Sequence, residues 1–280
     1  MTADASVPVL LRRALAPDPV SGRVHGISAQ EAGWRYVGFS DHPLSRGAAL
    51  SRRADDREVA LIVMEGSVTV RAGGRRFSSL GSRDGVFDGP PPPVLLLAPG
   101  TELQVDAESQ TTVVLADAPG GELHTTRLIE ATDVHVETRG SGITERRIHH
   151  LLPPTAEAGR LILFEVFTPG GNWSSYPPHK HDSEDPPREA YLEELYYYRF
   201  ARPEGWAFQR VYTPDRMLDE SFAPSDSDVV LVPRGYHPVG MPAGYDGYYL
   251  NVMAGPNRAW HFTVDPDHSW LMDWDPDAPR

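Results

Sequence analysis

Cysteine is absent from all 280 residues. Disulfides and thiolate ligands are therefore excluded, and any metal must be held by nitrogen and oxygen donors. Lysine is nearly absent: Lys180 is the single lysine among 26 basic side chains. No run approaches the length of a membrane span, and the start, Met1-Thr-Ala-Asp-Ala5, has no basic stretch leading into an apolar one. Neither a membrane anchor nor a secretory signal is visible, so a soluble, cytoplasmic protein is expected. A formal charge of −13 counts against a nucleic-acid surface, because polyanion binding needs concentrated positive charge. A small anionic ligand stays open, since one buried arginine can bind it inside an acidic protein. The glycines form no G-x-G-x-x-G before a helix and no G-x-x-x-x-G-K, so the standard phosphate cradles are missing too.

What is present is a chain of short β-rich runs. A hydrophobic fraction of 40% with 9% aromatics indicates a folded protein. Val59–Met64, Val94–Leu97, Thr111–Leu115, Leu161–Phe167, Leu195–Phe200 and Gly247–Val252 are each bounded by Gly, Pro, Asp or Asn. Many short strands with almost no helical periodicity predict an all-β sandwich or barrel. The best helix candidate is the weak 186–194 stretch, and residues 1–20 read as an irregular lead-in. A hydrophobic strand ending in Pro-Gly or Pro-x-Gly recurs at Leu95–Gly100 and Val229–Gly235. The recurrence predicts two tandem β-barrel units, 1–150 and 151–280, joined within 125–160.

The chemically specific segment is Tyr176-Pro-Pro-His-Lys-His-Asp182. On an extended strand, residues i and i+2 share a face, so His179 and His181 would aim both imidazoles at one point. Downstream lie Glu193-Glu194-Leu-Tyr-Tyr-Tyr198 and Pro233-Arg-Gly-Tyr-His237. Here the sequence resembles the cupin superfamily, with its His-x-His, later Glu, and His after Pro-x-Gly. More closely, Tyr176–Asp182, Glu194–Arg199, Gln209–Tyr212, Val232–Val239 and Tyr248–Gly255 look like the 5-deoxy-glucuronate isomerase (IolB) family of bacterial inositol catabolism. The chain is similar, more distantly, to the 4-deoxy-5-threo-hexosulose-uronate ketol-isomerases of pectin breakdown.

The resemblance implies a bicupin fold in which the C-terminal unit holds one divalent transition metal on His179, His181, a glutamate and His237. In the pectin-pathway relatives the ligand glutamate stands directly before an aromatic-alternating strand. Glu194 has that position and would share an inward face with Tyr196 and Tyr198, while Glu193 would face outward; a bulge would reverse the choice. Three imidazoles and one carboxylate suit Zn, Mn, Fe, Ni or Co and not Ca. Twelve residues, 182–193, separate His181 from Glu194, longer than in ordinary cupins, and could form a lid or subunit contact. The first half has no His-x-His and no His after Pro99-Gly100, so it is expected to be structural. His149, His150, His261 and His268 read as structural or supporting residues.

The implied activity is an aldose–ketose isomerisation of a small anionic sugar acid, 5-deoxy-D-glucuronate, to 5-dehydro-2-deoxy-D-gluconate. Candidate chemical residues are Tyr196, Tyr198 and Tyr249, with Asn251 on the same strand face as Tyr249. Phenols also fill β interiors by packing alone. Gln209 and Arg210 point to opposite faces. An inward Arg210 would bind the substrate carboxylate; an outward one would form a surface ion pair. Lys180 reaches the site only if the strand bends at Pro177-Pro178, and strand alternation otherwise points it into solvent. An Fe(II)-dependent cupin dioxygenase and a non-catalytic sugar-binding cupin are the competing readings. Exposed edge strands make a homo-oligomer the expectation.

Overall fold

The computed structural model describes residues 9–277. Of the irregular lead-in expected over 1–20, residues 1–8 lie outside the described residues, and Leu11–Arg12 is a short strand rather than coil. The fold is four stacked β layers. At the centre, two large sheets face one another. One has the strand order Leu11–Arg12, Val229–Val232, Glu193–Phe200, Gly247–Ala254, Leu161–Thr168, Arg146–Leu152, His135–Arg139. The other runs Arg127–Ile129, Val94–Leu97, Arg57–Glu65, Thr111–Pro119, Gly38–Leu44, Gly26–Ile27. A four-stranded sheet covers the outer face of each: Trp173–Ser174, Val239–Gly240, Phe208–Tyr212 and Asp219–Phe222 over the first, Ala49–Arg53, Glu102–Ala107, Val68–Ala72 and Arg75–Leu80 over the second. A small ladder, His179–Lys180 with Thr263–Val264, completes the set.

Strand alternation sorts the side chains among three apolar layers. Ala60, Ile62, Leu195, Tyr197, Leu250 and Val252 meet between the two large sheets. Val59, Leu61, Val63, Leu95 and Val105 fill the layer beneath the first-half outer sheet. Tyr196, Tyr198, Val230, Tyr249 and Met253 line the second-half counterpart. Because both faces of the large sheets are buried, their strands read as continuous hydrophobic runs instead of alternating ones.

Two expectations need correction. The all-β content holds, but the tandem closed barrels of a bicupin do not: among the described residues every sheet is open, with a distinct strand at each end. Closure requires each edge strand to find a partner. Here the chain instead leaves one layer for the next through segments such as Pro169-Gly170-Gly171, which break the ladder, so each half is an open sandwich. The 186–194 stretch is also not helical. Pro186 and Pro187 lack the N–H that a helix interior needs; a turn closed by the Asp185–Glu189 bridge leads into the strand that starts at Glu193.

The halves repeat one another in register. Glu58 pairs with Ala118 as Glu193 pairs with Ala254. Each glutamate crosses to the other half's backbone. Glu58 accepts the N–H groups of Gly159, Arg160 and Leu161, and Glu193 accepts those of Arg35, Tyr36 and Val37. Arg83 likewise reaches across to Glu165 at 2.8 Å, with both side chains buried. The same register sets Glu194, Tyr196 and Tyr198 against Val59, Leu61 and Val63. The six-stranded sheet therefore carries aliphatic packing where the seven-stranded sheet carries polar side chains, and among the described residues no His/Glu group forms on the six-stranded one.

Candidate metal centre

Glu194 is fully buried on the face of its strand that turns from the central layer toward the second-half outer sheet. Its Oε2 lies 2.8 Å from His181 Nε2 and 3.0 Å from His237 Nε2. Asn251, directly across the ladder from Tyr196, donates from Nδ2 to the other oxygen, Oε1. His179 completes the group, its ring 5.0 Å from that of His237 and 6.4 Å from that of His181. Glu193, one residue earlier, points into the central layer and onto the first-half backbone, so the adjacent carboxylates serve opposite faces of one sheet.

Each imidazole is held by a backbone carbonyl. Nδ1 of His179 donates to Pro177 O at 2.9 Å, Nδ1 of His181 to Leu192 O at 3.0 Å, and Nδ1 of His237 to Gly235 O at 2.8 Å. This fixes the tautomer and leaves the Nε2 lone pairs available, the orienting arrangement that metal-bound histidines need. Gly235 adopts φ +90, and a Cβ there would lie 2.4 Å from Tyr212 O, so the Pro-x-Gly motif is a steric requirement of this turn. Its N–H donates to Asp182 Oδ2 at 2.8 Å, tying the His237 loop to the His181 loop.

The electrostatics fit a cation. His237 Nε2 is buried without a hydrogen-bond partner, although an acceptor oxygen of Glu194 stands 3.0 Å away. A neutral imidazole lone pair facing a carboxylate lone pair at that distance is unfavourable unless a cation lies between them. Burial, then the neighbouring His237, pushes His179 down to about 3, which keeps it neutral as a ligand must be. Burial opposes the charge on Glu194, yet positive charge on its His237 and His181 side holds the carboxyl well below the usual range, which is the side a cation would occupy. His181, Glu194 and His237 converge closely enough to take one divalent transition metal, with His179 beside them as a further nitrogen donor.

The cluster opens on a cavity of about 150 Å³ lined by His179, Glu194, Tyr196, Tyr249 and Asn251 on one side. Trp260, Phe164, Ile148 and Val166 wall it, and Arg139, Arg146 and His150 close the far edge. Tyr196 OH lies 2.9 Å from Ser175 Oγ, and Tyr249 OH lies 3.5 Å from the same atom. Burial raises both phenols, so they are protonated donors. Tyr198 stands behind this wall and donates to Gln209 Oε1 at 2.8 Å.

Besides Tyr198, two expected side chains are not brought to the cavity. Arg210 is the outward member of its pair: it forks onto Asp219 through two 2.7 Å bonds and stacks on Tyr212. Lys180 points away from the histidines, as strand alternation requires, and binds Asp182 at 2.6 Å and Glu189 at 2.9 Å. Its ammonium, with the Asp182 and Ser183 N–H groups, anchors Glu189, so the 182–193 spacer is pinned down rather than left as a free lid.

Sequence reasoning passed over Arg139, Arg146, Ser175 and Trp260, and placed His150 only at a join. Arg139, Arg146 and His150 share one face of the two strands that end the seven-stranded sheet, a placement no local motif announces. His149 takes the opposite face and bonds Glu165 at 2.8 Å. His150 Nε2 meets Glu137 Oε2 at 2.9 Å, and Arg139 forks onto the same carboxylate at 2.9 and 3.0 Å. His135, Glu137 and His150 converge as a second His/Glu group, but both Glu137 oxygens are already engaged.

The KduI/IolB family model matches residues 10–271. A 5-deoxy-glucuronate isomerase of Geobacillus kaustophilus (strain HTA426) is 45% identical over 252 residues, covering 90% of this chain and 91% of that protein. One from Bacillus velezensis is 40% identical over 267 residues, covering 94% of this chain and 98% of that protein. The crystal structure of an IolB-like protein from Salmonella typhimurium LT2 superposes with a TM-score of 0.90 at 43% identity, covering 94% of this chain and 99% of that one. An oxalate decarboxylase from Lactobacillus farciminis, 13% identical with a TM-score of 0.67, shares the fold alone; the match covers 96% of this chain and 92% of that one. Matched over nearly its whole length, with the histidine–glutamate cluster inside the matched span, the chain belongs to the KduI/IolB family.

Proposed function

We propose that this protein is a metal-dependent aldose–ketose isomerase acting on 5-deoxy-D-glucuronate and forming 5-dehydro-2-deoxy-D-gluconate. The observation that carries the reading is the cluster of orientation-locked imidazoles around Glu194, open through His179 and Glu194 onto a small, mostly apolar cavity edged by phenols and guanidinium groups. His179, His181, Glu194 and His237 would hold the ion. A divalent ion bound there supplies Lewis-acid polarisation of adjacent carbonyl and hydroxyl oxygens and favours the negative charge that develops between them.

The chain's own residues supply the rest. Tyr196 and Tyr249, protonated and tied to Ser175, present hydroxyls to substrate oxygens. Asn251 fixes the Glu194 carboxylate in one orientation. Phe164, Val166, Ile148 and Trp260 keep water from the reacting carbons. The group placed to move a proton is His150: burial lowers its pKa below the ordinary value, so it is neutral at pH 7, and Glu137 orients its ring. A homo-oligomer and a cytoplasmic site of action are part of the same reading.

The test is incubation of metal-replete protein with 5-deoxy-D-glucuronate in deuterated water without oxygen, followed by proton NMR. Conversion with deuterium at C2 is expected from proton transfer through an enediolate. Failure to convert without oxygen, with consumption only when oxygen is admitted, would replace the isomerase with an oxygenase. Binding without conversion under either condition would leave a sugar-binding protein.

A further inference from the structure

Among the described residues, Arg146 is the one guanidinium lining the cavity without a carboxylate partner. Its side chain is partly buried, and among the described residues it forms no ion pair. Its only hydrogen bonds go to neutral backbone carbonyls: Nη1 donates to Thr144 O at 2.9 Å and Nη2 to Tyr176 O at 3.4 Å. Arg139, the other guanidinium on the lining, is consumed by its fork onto Glu137. Burial lowers the pKa of Arg146, and Glu137, already forked by Arg139, makes no direct ion pair with it.

Register gives this cation its direction. Arg146, Ile148 and His150 share the face on which Phe164, Val166, Tyr249 and Asn251 lie, and the ladder carries that face across to Tyr196 and Glu194. The strand of Arg146 is the third across the sheet from that of Glu194, and the ladders set Arg146 level with Phe200, further along the sheet than Glu194. Arg146 nonetheless lines the same small cavity as His179 and Glu194.

We propose that Arg146 is the residue that selects a carboxylate-bearing sugar, receiving that carboxylate at the edge of the cavity while the carbonyl end of the same molecule lies against His179 and Glu194. The assignment rests on the sugar-acid reading above and adds to it a residue and a substrate orientation. It also says why Arg210, which sequence parity left as a carboxylate receptor, is not needed for that role. A planar fork suits a carboxylate better than an ammonium does, and loss of one partner of a desolvated charge pair weakens binding about 30-fold or more.

The experiment compares the anionic sugar D-glucuronate with its neutral amide, D-glucuronamide, by calorimetric titration of the full metal-loaded chain. The wild type is expected to prefer the anion. Arg146→Gln is expected to lose the anion by about 30-fold or more, hold the amide within about twofold, and keep the wild-type metal content. Arg146→Lys, which retains charge without the fork and guards against a folding defect in the glutamine variant, is expected to keep a reduced preference for the anion. The proposal is overturned if Arg146→Gln binds the anion as the wild type does. It is equally overturned if either variant weakens both sugars alike, or if the wild type shows no preference. Turnover is not the readout, so the outcomes separate: anion preference dependent on Arg146 without conversion of 5-deoxy-D-glucuronate would retain this site and remove the isomerase assignment.

Discussion

Glu193 and Glu194 are adjacent, both are buried, and the structure gives them unrelated jobs, so the substitutions Glu193→Gln and Glu194→Gln should fail in different ways. Glu193 accepts three backbone N–H groups, from Arg35 at 2.7 Å, Tyr36 at 2.7 Å and Val37 at 3.0 Å. A glutamine keeps one acceptor oxygen and turns an NH2 toward the donors on the other. At least one N–H then loses its partner in a site from which water is excluded, and the remaining bonds lose their charge assistance. Hydrogen bonds to charged groups contribute roughly 1.5–3 kcal/mol each, and a stranded buried donor costs roughly 1–3 kcal/mol. The combined loss is about 3–5 kcal/mol, which for a chain of this size lowers the melting temperature by roughly 6–15 °C. Metal content should be unchanged, because the carboxylate faces away from the histidines. Glu194→Gln should do the reverse, removing the one anionic donor of the cluster and most of the bound metal. Calorimetric melting beside metal analysis of the two purified variants reads both effects. Loss of metal from Glu193→Gln with an unchanged melting temperature, or full metal retention by Glu194→Gln, would refute the assignment of faces.

Four further outcomes follow from the same geometry. Arg83→Ala leaves Glu165 buried with only His149 and Tyr248 as partners, at a cost of about 3–5 kcal/mol by urea titration; a double-mutant cycle with Glu165→Gln that shows no coupling would contradict a direct pair. Glu137 is held down to about 2, chiefly by its hydrogen bond from Arg139, against an ordinary 4.5. Its stabilising contribution is therefore present above the unfolded value and lost as pH falls from 4.5 through about 2. Glu137→Gln should flatten that part of the acid limb in stability measurements from pH 6 to pH 2, and an unaltered limb counts against the pairing. Lys180→Met should retain metal and turnover with only a modest loss of thermal stability, whereas His237→Ala should lose metal and activity together. Full activity in metal-stripped His237→Ala would remove the site.

Much of the site was legible because its determinants are local. His179 and His181, the Pro-x-Gly turn at Gly235 and the alternation of Glu194, Tyr196 and Tyr198 are short-range patterns. Backbone geometry converts such patterns directly into side-chain direction, and the same parity told Glu194 from Glu193. Arg210 failed for a related reason: alternation says that Gln209 and Arg210 part company but not which one faces inward. That choice belongs to the pairing of Phe208–Tyr212 with Val239–Gly240 and Asp219–Phe222.

By itself the sequence determined that the chain is β-rich, that any metal ligands must be nitrogen and oxygen, and which histidines and glutamate are the candidate donors. Only the tertiary structure decided that the sheets stay open and stack in four layers. It also decided that Glu58, Glu193 and Arg83 bind the halves to one another, and that Arg139, Arg146 and His150 face the metal cluster across the cavity. Those residues lie on strands brought to the site by ladders between segments far apart in the chain. Strand order and register are set by packing of whole sheets, and no window of sequence contains both ends of such a ladder.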